Sequence, residues 1–130
     1  MTSNPEALLA AASLSEPERR TVQRFVDSMR QALDDSLRGL WLYGSRARGE
    51  TPGPDSDVDL IVIADGGQRR HGRAAMDLSE EAAISEGESP FSYSVHVYDP
   101  EWLHQRREIE SFFVREVDRD KIVLAGSGLD

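Results

Sequence analysis

Residues 60–64 read Leu-Ile-Val-Ile-Ala, an unbroken aliphatic run inside a segment, Val58 to Ala64, that is apolar on both faces. A strand of that kind buries both faces, so it belongs in the middle of a sheet with cover above and below. The run is far too short for the roughly 20 residues that span a bilayer. The chain of 130 residues must therefore supply flanking strands and helices for one central strand. That length suits a single domain, which at about 100–150 residues buries roughly two-thirds of its unfolded surface.

The flanking pieces are readable. Ser15-Glu-Pro-Glu18 has the form of a capping box with proline in the first turn. Val22, Phe25, Val26, Met29 and Leu33 follow at helical spacing, predicting a helix that runs to about Asp35. Leu40 to Tyr43 reads as a buried strand ending at Gly44-Ser45, and residues 46–56, with Gly49, Pro52, Gly53 and Pro54, read as loop after at most one helical turn. Residues 69–86 suit a helix with a shallow alanine side. Phe91 to Tyr98 alternates, with Tyr93, Val95 and Val97 on one face and Ser94, His96 and Tyr98 on the other. Pro100 opens a short helix carrying Trp102 and Leu103. A last helix near 109–117 offers Phe112, Phe113 and Val117 to the core, which Ile122 to Leu124 closes. This order predicts an α/β (α+β) domain over residues 14–126, with a small mixed β-sheet and helices packed mainly on one face. Residues 1–13 read as a flexible N-terminal arm or a short helix.

Composition narrows the function. The chain has no cysteine, which removes disulfides, thiolate metal sites and cysteine catalysis. Its 15 Lys and Arg stand against 24 Asp and Glu, a formal net charge of −9. That balance argues against holding nucleic acid on a broad basic surface, because phosphate neutralisation dominates such binding. The N-terminus lacks the basic flank and apolar stretch of a signal peptide, so the expectation is a cytoplasmic protein with no membrane association.

Chemistry concentrates in Gly44-Ser-Arg-Ala-Arg-Gly49 and Ser56-Asp-Val-Asp-Leu60. Asp57 and Asp59 lie two apart at the start of a strand and so project from one face. Carboxylates held that close repel each other, and a divalent cation relieves the repulsion. Magnesium takes one or two carboxylates and completes its shell with water and phosphate oxygens. The Gly44-Ser45 turn offers backbone N–H groups and a hydroxyl to an anion, and Arg46 and Arg48 could add charge-assisted contacts. A phosphate cradle beside paired carboxylates is what metal-assisted phosphoryl or nucleotidyl transfer requires.

Written as GSRARG, ETPGPD and SDVDL, residues 44–60 resemble the signature of the polymerase-beta-like nucleotidyltransferases. A looser similarity over about residues 20–125, including Pro100 to Leu103 and Phe112-Phe-Val-Arg-Glu-Val117, points to the single-domain minimal nucleotidyltransferases. The resemblance implies transfer of a nucleoside monophosphate, with AMP from ATP the first expectation, to a hydroxyl with release of pyrophosphate. It implies metal binding (Mg2+, or Mn2+) by Asp57 and Asp59 and phosphate binding by Gly44 and Ser45, and Ser56 joins this phosphate-binding set. Minimal nucleotidyltransferases are often antitoxins that modify a tyrosine of a HEPN-type toxin, so the resemblance also implies a protein partner.

One departure stands out. Relatives of this kind carry a third carboxylate on the following strand, near the place held here by His96. Three readings follow. His96 is itself the catalytic base, as imidazole suits proton transfer near neutral pH. Asp99 or Glu101 reaches in from the strand end. Or the domain binds nucleotide and metal as an antitoxin that acts by contact without turnover. A small DNA polymerase-like transferase is a further alternative, weakened by the acidic charge and the missing extensions. The plainer expectations are that Arg69, Arg70, His71 and Arg73 form a solvated helix start, that Trp41 and Trp102 are core or interface residues, and that Glu80, Glu81, Glu86 and Glu88 form a solvated face.

Overall fold

Ser15 opens the first helix as its capping box requires: its Oγ accepts from the Glu18 N–H, and the Ser15 N–H donates to the Glu18 carboxylate at 2.8 Å. The computed structural model describes residues 9–54 and 56–130. Helix α1 (Glu16–Leu33) leads into β1 (Leu37–Tyr43) and β2 (Val58–Ala64), then α2 (Gly67–Ser85), β3 (Tyr93–Tyr98), α3 (Pro100–Glu108), α4 (Phe112–Asp120) and β4 (Ile122–Gly126). The strands form one mixed sheet in the order β3-β2-β1-β4. Strand β1 is antiparallel to both β2 and β4, whereas β2 and β3 run parallel.

The aliphatic run sits where its two apolar faces require. Val58, Leu60 and Val62 join Leu40 and Leu42 beneath α1, whose Val22, Phe25, Val26, Met29 and Leu33 are all buried, and beneath Ala75, Ala82 and Ala83 of α2. Ile61 and Ile63 face the other way and pack with Trp41, Leu103, Val114 and Val117. The two long helices thus form the larger layer on one face, while the short α3 and α4 cover part of the other. Among the described residues no helix is long and apolar enough to cross a membrane.

Several elements depart from expectation for identifiable reasons. Strand β1 begins at Leu37, because Gly39 continues the strand instead of ending it. A Cβ at Gly39 would lie 2.7 Å from the Ser127 carbonyl, so glycine is what lets the chain after β4 approach. The last helix starts at Phe112 and not near residue 109, because α3 ends at Glu108 and Glu110 takes a positive φ of 52° between the two helices. Phe112 and Phe113, expected in the core, are instead 76% and 40% exposed at the first turn of α4, where the apolar stripe of the helix is carried by Val114 and Val117. Glu86 is not part of a solvated face, since it pairs with Arg20 and Arg24 and ties the end of α2 to α1. Of the segment expected as an arm or short helix, Leu9–Ala11 forms a 3₁₀ turn with Leu9 fully buried; residues 1–8 lie outside the described residues.

Candidate active site

The antiparallel register sets Tyr43 opposite Asp59, and the parallel register sets Ser94 on its other side. These three side chains share one face of the sheet at the start of β2, with Asp57 just before the strand. The chain leaves β1 through Gly44 at φ +79°, in the left-handed region that favours glycine. A single helical turn follows, closed by Arg48 N–H to Gly44 carbonyl at 3.2 Å and Glu50 N–H to Ser45 carbonyl at 3.1 Å. A Cβ at Gly44 would stand 2.8 Å from Asp59 Oδ2, so the turn lies directly against that carboxylate. Ser45 and Ser56 approach each other from the two ends of the intervening loop, with their hydroxyl oxygens 3.4 Å apart.

Gly44→Ala tests this apposition. The left-handed backbone costs about 1–2 kcal/mol with a Cβ present, a loss that a thermal melt will register. The methyl group must also displace the Asp59 carboxylate, and misplacing a reacting group by about 1 Å costs on the order of 100-fold in rate. The expected result is a modestly less stable protein with a disproportionately large fall in any reaction the site supports.

The two arginines lie elsewhere than a phosphate cradle would place them. Arg46 is buried, its side chain 7% exposed. Its Nε donates to Ser56 Oγ and its Nη2 to the Ser56 carbonyl, each at 2.9 Å. Nη1 donates to the Ser13 carbonyl at 3.0 Å and to the Glu18 carboxylate at 2.9 Å. The expected phosphate contact of Arg46 is thereby corrected: its guanidinium is committed to the scaffold and pins residues 13, 18 and 56 together. Arg48 forms a bidentate pair with Glu50 and bonds Asp120 at 3.1 Å, linking the turn to the end of α4. Glu50 and Asp120 thus compete for the charge expected to meet phosphate.

Asp57 is exposed and Asp59 is half-buried. Burial, and then the charge of Asp57, push the Asp59 carboxyl above its ordinary range, with His96 and Arg46 pulling the other way. Burial and the Asp59 charge also raise the Tyr43 phenol, so Tyr43 stays protonated beside the site. Among the described residues no group of three or more His, Asp or Glu side chains is placed to hold a metal ion. The donor set among the described residues is a pair of carboxylates, and burial disfavours the charged form of one of them, Asp59. A pair suits magnesium delivered with a triphosphate, because the remaining positions go to phosphate oxygens and water.

The register also separates the readings of the third position. His96 lies opposite Ile61, one step further along the same face than Ser94, and it acts electrostatically on Asp59. Its Nε2 lies 3.2 Å from Ser94 Oγ, and its ring is parallel to that of Tyr98, which in turn stacks on Trp102 at 3.6 Å. Trp41 is a core residue, and Trp102 is partly buried against the same cluster while its ring stacks on Tyr98. Asp99 follows the last residue of β3, about 16 Å along the strand from Ser94 at about 3.3 Å per residue. There its Oδ1 accepts the Trp102 N–H as the cap of α3. Asp99 and Glu101 are therefore at the wrong end of the strand to complete the site. Ser94 and Tyr43 were missed from sequence, although aligning the starts of the two parallel strands would have pointed to Ser94.

A glycine turn pressed against paired carboxylates, on adjacent strands of a small mixed sheet, defines a site suited to chemistry on a phosphate ester. A family model for the nucleotidyltransferase domain matches residues 22–119, and the chain belongs to that family. The match runs from within α1 into α4 and contains Tyr43, Gly44, Ser45, Ser56, Asp57, Asp59, Ser94 and His96. No curated protein and no solved structure matches the chain.

Proposed function

We propose that this protein transfers a nucleoside monophosphate, AMP from ATP in the first instance, to a hydroxyl on an acceptor. The observation that carries the reading is the contact between Gly44 and the Asp59 carboxylate, which joins the phosphate turn to the acidic pair. Asp57 and Asp59 would hold magnesium or manganese, which when bound offsets the charge of the triphosphate and of the two carboxylates. Gly44, Ser45 and Ser56 bind the triphosphate, and Arg48 assists once it exchanges a carboxylate partner for phosphate. Arg46 acts through Ser56, as a positioning residue.

The acceptor oxygen attacks the α-phosphorus, the bond from that phosphorus to the α,β-bridging oxygen breaks, and pyrophosphate leaves. The acceptor proton passes to the His96 imidazole, whose ring the Tyr98–Trp102 stack holds at the site face. The resemblance to minimal nucleotidyltransferases makes a tyrosine of a HEPN-type toxin the acceptor to test first, in the cytoplasm where the NTP is supplied. The acidic surface suits a protein or small molecule better than nucleic acid.

A second reading is favoured because, among the described residues, no third acid joins the pair: the domain binds nucleotide and metal and neutralises a partner by contact. His96→Ala separates the two. Incubation with α-labelled ATP, magnesium and candidate acceptors is expected to show transfer by the wild type and a loss of about 100-fold or more in the variant, within the range of general-base contributions. Unchanged transfer in His96→Ala would remove the base assignment, and nucleotide binding without any wild-type transfer would favour the contact reading.

A further inference from the structure

A groove of about 350 Å³ lies at the β3 edge of the sheet, and Asp57 of the carboxylate pair is among the residues that line it. Asp57, Ser94 and Phe91 line it together with Gln68, Met76 and Glu80 of α2. Phe91 is 91% exposed and Met76 54% exposed, so neither side chain serves the core. Phe91 is nevertheless held in place, since it lies in the Pro90–Ser92 turn and its N–H donates to the capping Ser89 Oγ at 3.3 Å.

The wall has an unusual construction. Gly72 sits inside α2, where glycine is costly relative to alanine. A Cβ there would stand 2.0 Å from the Gln68 side-chain nitrogen, so the space is taken by the Gln68 amide. The groove therefore combines an aromatic face, a thioether, an amide laid over a bare stretch of helix, and a carboxylate. Those are the parts that hold a nucleobase: faces for stacking and an edge of donors and acceptors. Its volume lies in the range of small-ligand sites.

From these features we infer that the groove is the nucleoside subsite, in which the base stacks on Phe91 and Gln68 and Glu80 read an exocyclic amino group. The inference rests on the nucleotidyl-transfer reading and adds to it a preference for ATP over UTP. The triphosphate end of the same ligand lies across the carboxylate pair, at Gly44 and Ser45.

Calorimetric titration in magnesium with ATP, UTP and inorganic tripolyphosphate tests the assignment. The wild type is expected to bind ATP roughly tenfold more tightly than tripolyphosphate, in line with one stacked base, and more tightly than UTP. Phe91→Ala should lose that advantage and leave tripolyphosphate affinity unchanged. Gly72→Ala should weaken ATP binding without lowering the melting temperature, because the new methyl group displaces only the end of a flexible side chain. Equal affinity of the wild type for ATP and tripolyphosphate, or unchanged ATP affinity in Phe91→Ala, would overturn the subsite while the transferase reading stands. A Phe91→Ala variant that keeps ATP affinity but loses transfer would assign the groove to the acceptor and also overturn it. Absence of magnesium-dependent binding of both ATP and tripolyphosphate would defeat the subsite and the transferase reading together.

Discussion

Asp59→Asn is expected to abolish nucleotidyl transfer while making the protein more stable. The carboxylate is half-buried beside Tyr43 and Ser94, and both burial and the neighbouring Asp57 disfavour its charged form. An amide of the same shape keeps the packing and removes the buried charge, so the melting temperature should rise. The same change removes half of the carboxylate pair that the described residues place at the site. Even residues that merely support a metal ligand carry roughly 10–100-fold in affinity or activity, and with Asp59 in the proposed role of ligand the loss should exceed about 100-fold. A rise in stability with loss of activity is the mark of a residue kept for chemistry. If Asp59→Asn lowered stability and left transfer intact, Asp59 would be a structural residue.

Arg46→Ala is expected to show the opposite behaviour, a large loss of stability. The Arg46–Glu18 pair is buried, with side chains 7% and 13% exposed, and removing one partner strands the other charge. Breaking such a pair costs about 3–5 kcal/mol, a large share of the roughly 5–15 kcal/mol that stabilises a domain of this kind. Three further donations, to Ser13 and Ser56, vanish with it. Arg46→Lys keeps the charge but not the fork, so it should fall between the two and remain folded for kinetic work. In that variant the KM for nucleotide is expected to rise more than kcat falls, since Ser56 loses its anchor while His96 is untouched.

The pair also sets a pH dependence. Burial pushes the Glu18 carboxyl up, but hydrogen bonds and charge from Arg46, together with the Ser15 cap, outweigh it and hold the group below its ordinary value of 4.5. The unfolded chain therefore takes up this proton at higher pH than the folded one. The stabilisation is fully present above that ordinary value and is lost as pH falls through the depressed one. Acid unfolding curves of the wild type should show this loss, and Glu18→Gln should flatten it.

The contrast between these two residues shows what the sequence could convey. Asp57 and Asp59 were legible because their spacing on a strand fixes their common face regardless of the rest of the fold. Helix α1 was legible for the same reason, as Ser15 and the stripe from Val22 to Leu33 are local patterns. Arg46 was not: its partners Ser13 and Glu18 lie 33 and 28 residues away, and nothing in GSRARG distinguishes a guanidinium that meets phosphate from one that meets Glu18. Nor does a strand sequence state its register, which is why the third-carboxylate position was set near His96 although Ser94 is the residue opposite Asp59. Phe112 and Phe113 misled in a third way. Apolarity forecasts burial only on average, and Phe113 lies edge-on to Tyr43 near the site with its outer side exposed.

The central claim is that the Gly44–Ser45 turn and the Asp57–Asp59 pair form one site for a metal–triphosphate. Titration of ATP into the protein with and without magnesium, for the wild type and for Asp57→Asn, tests it most directly. Saturable one-to-one binding that requires magnesium and is lost in the variant is the expected result. Binding that is indifferent to magnesium and to Asp57 would contradict it.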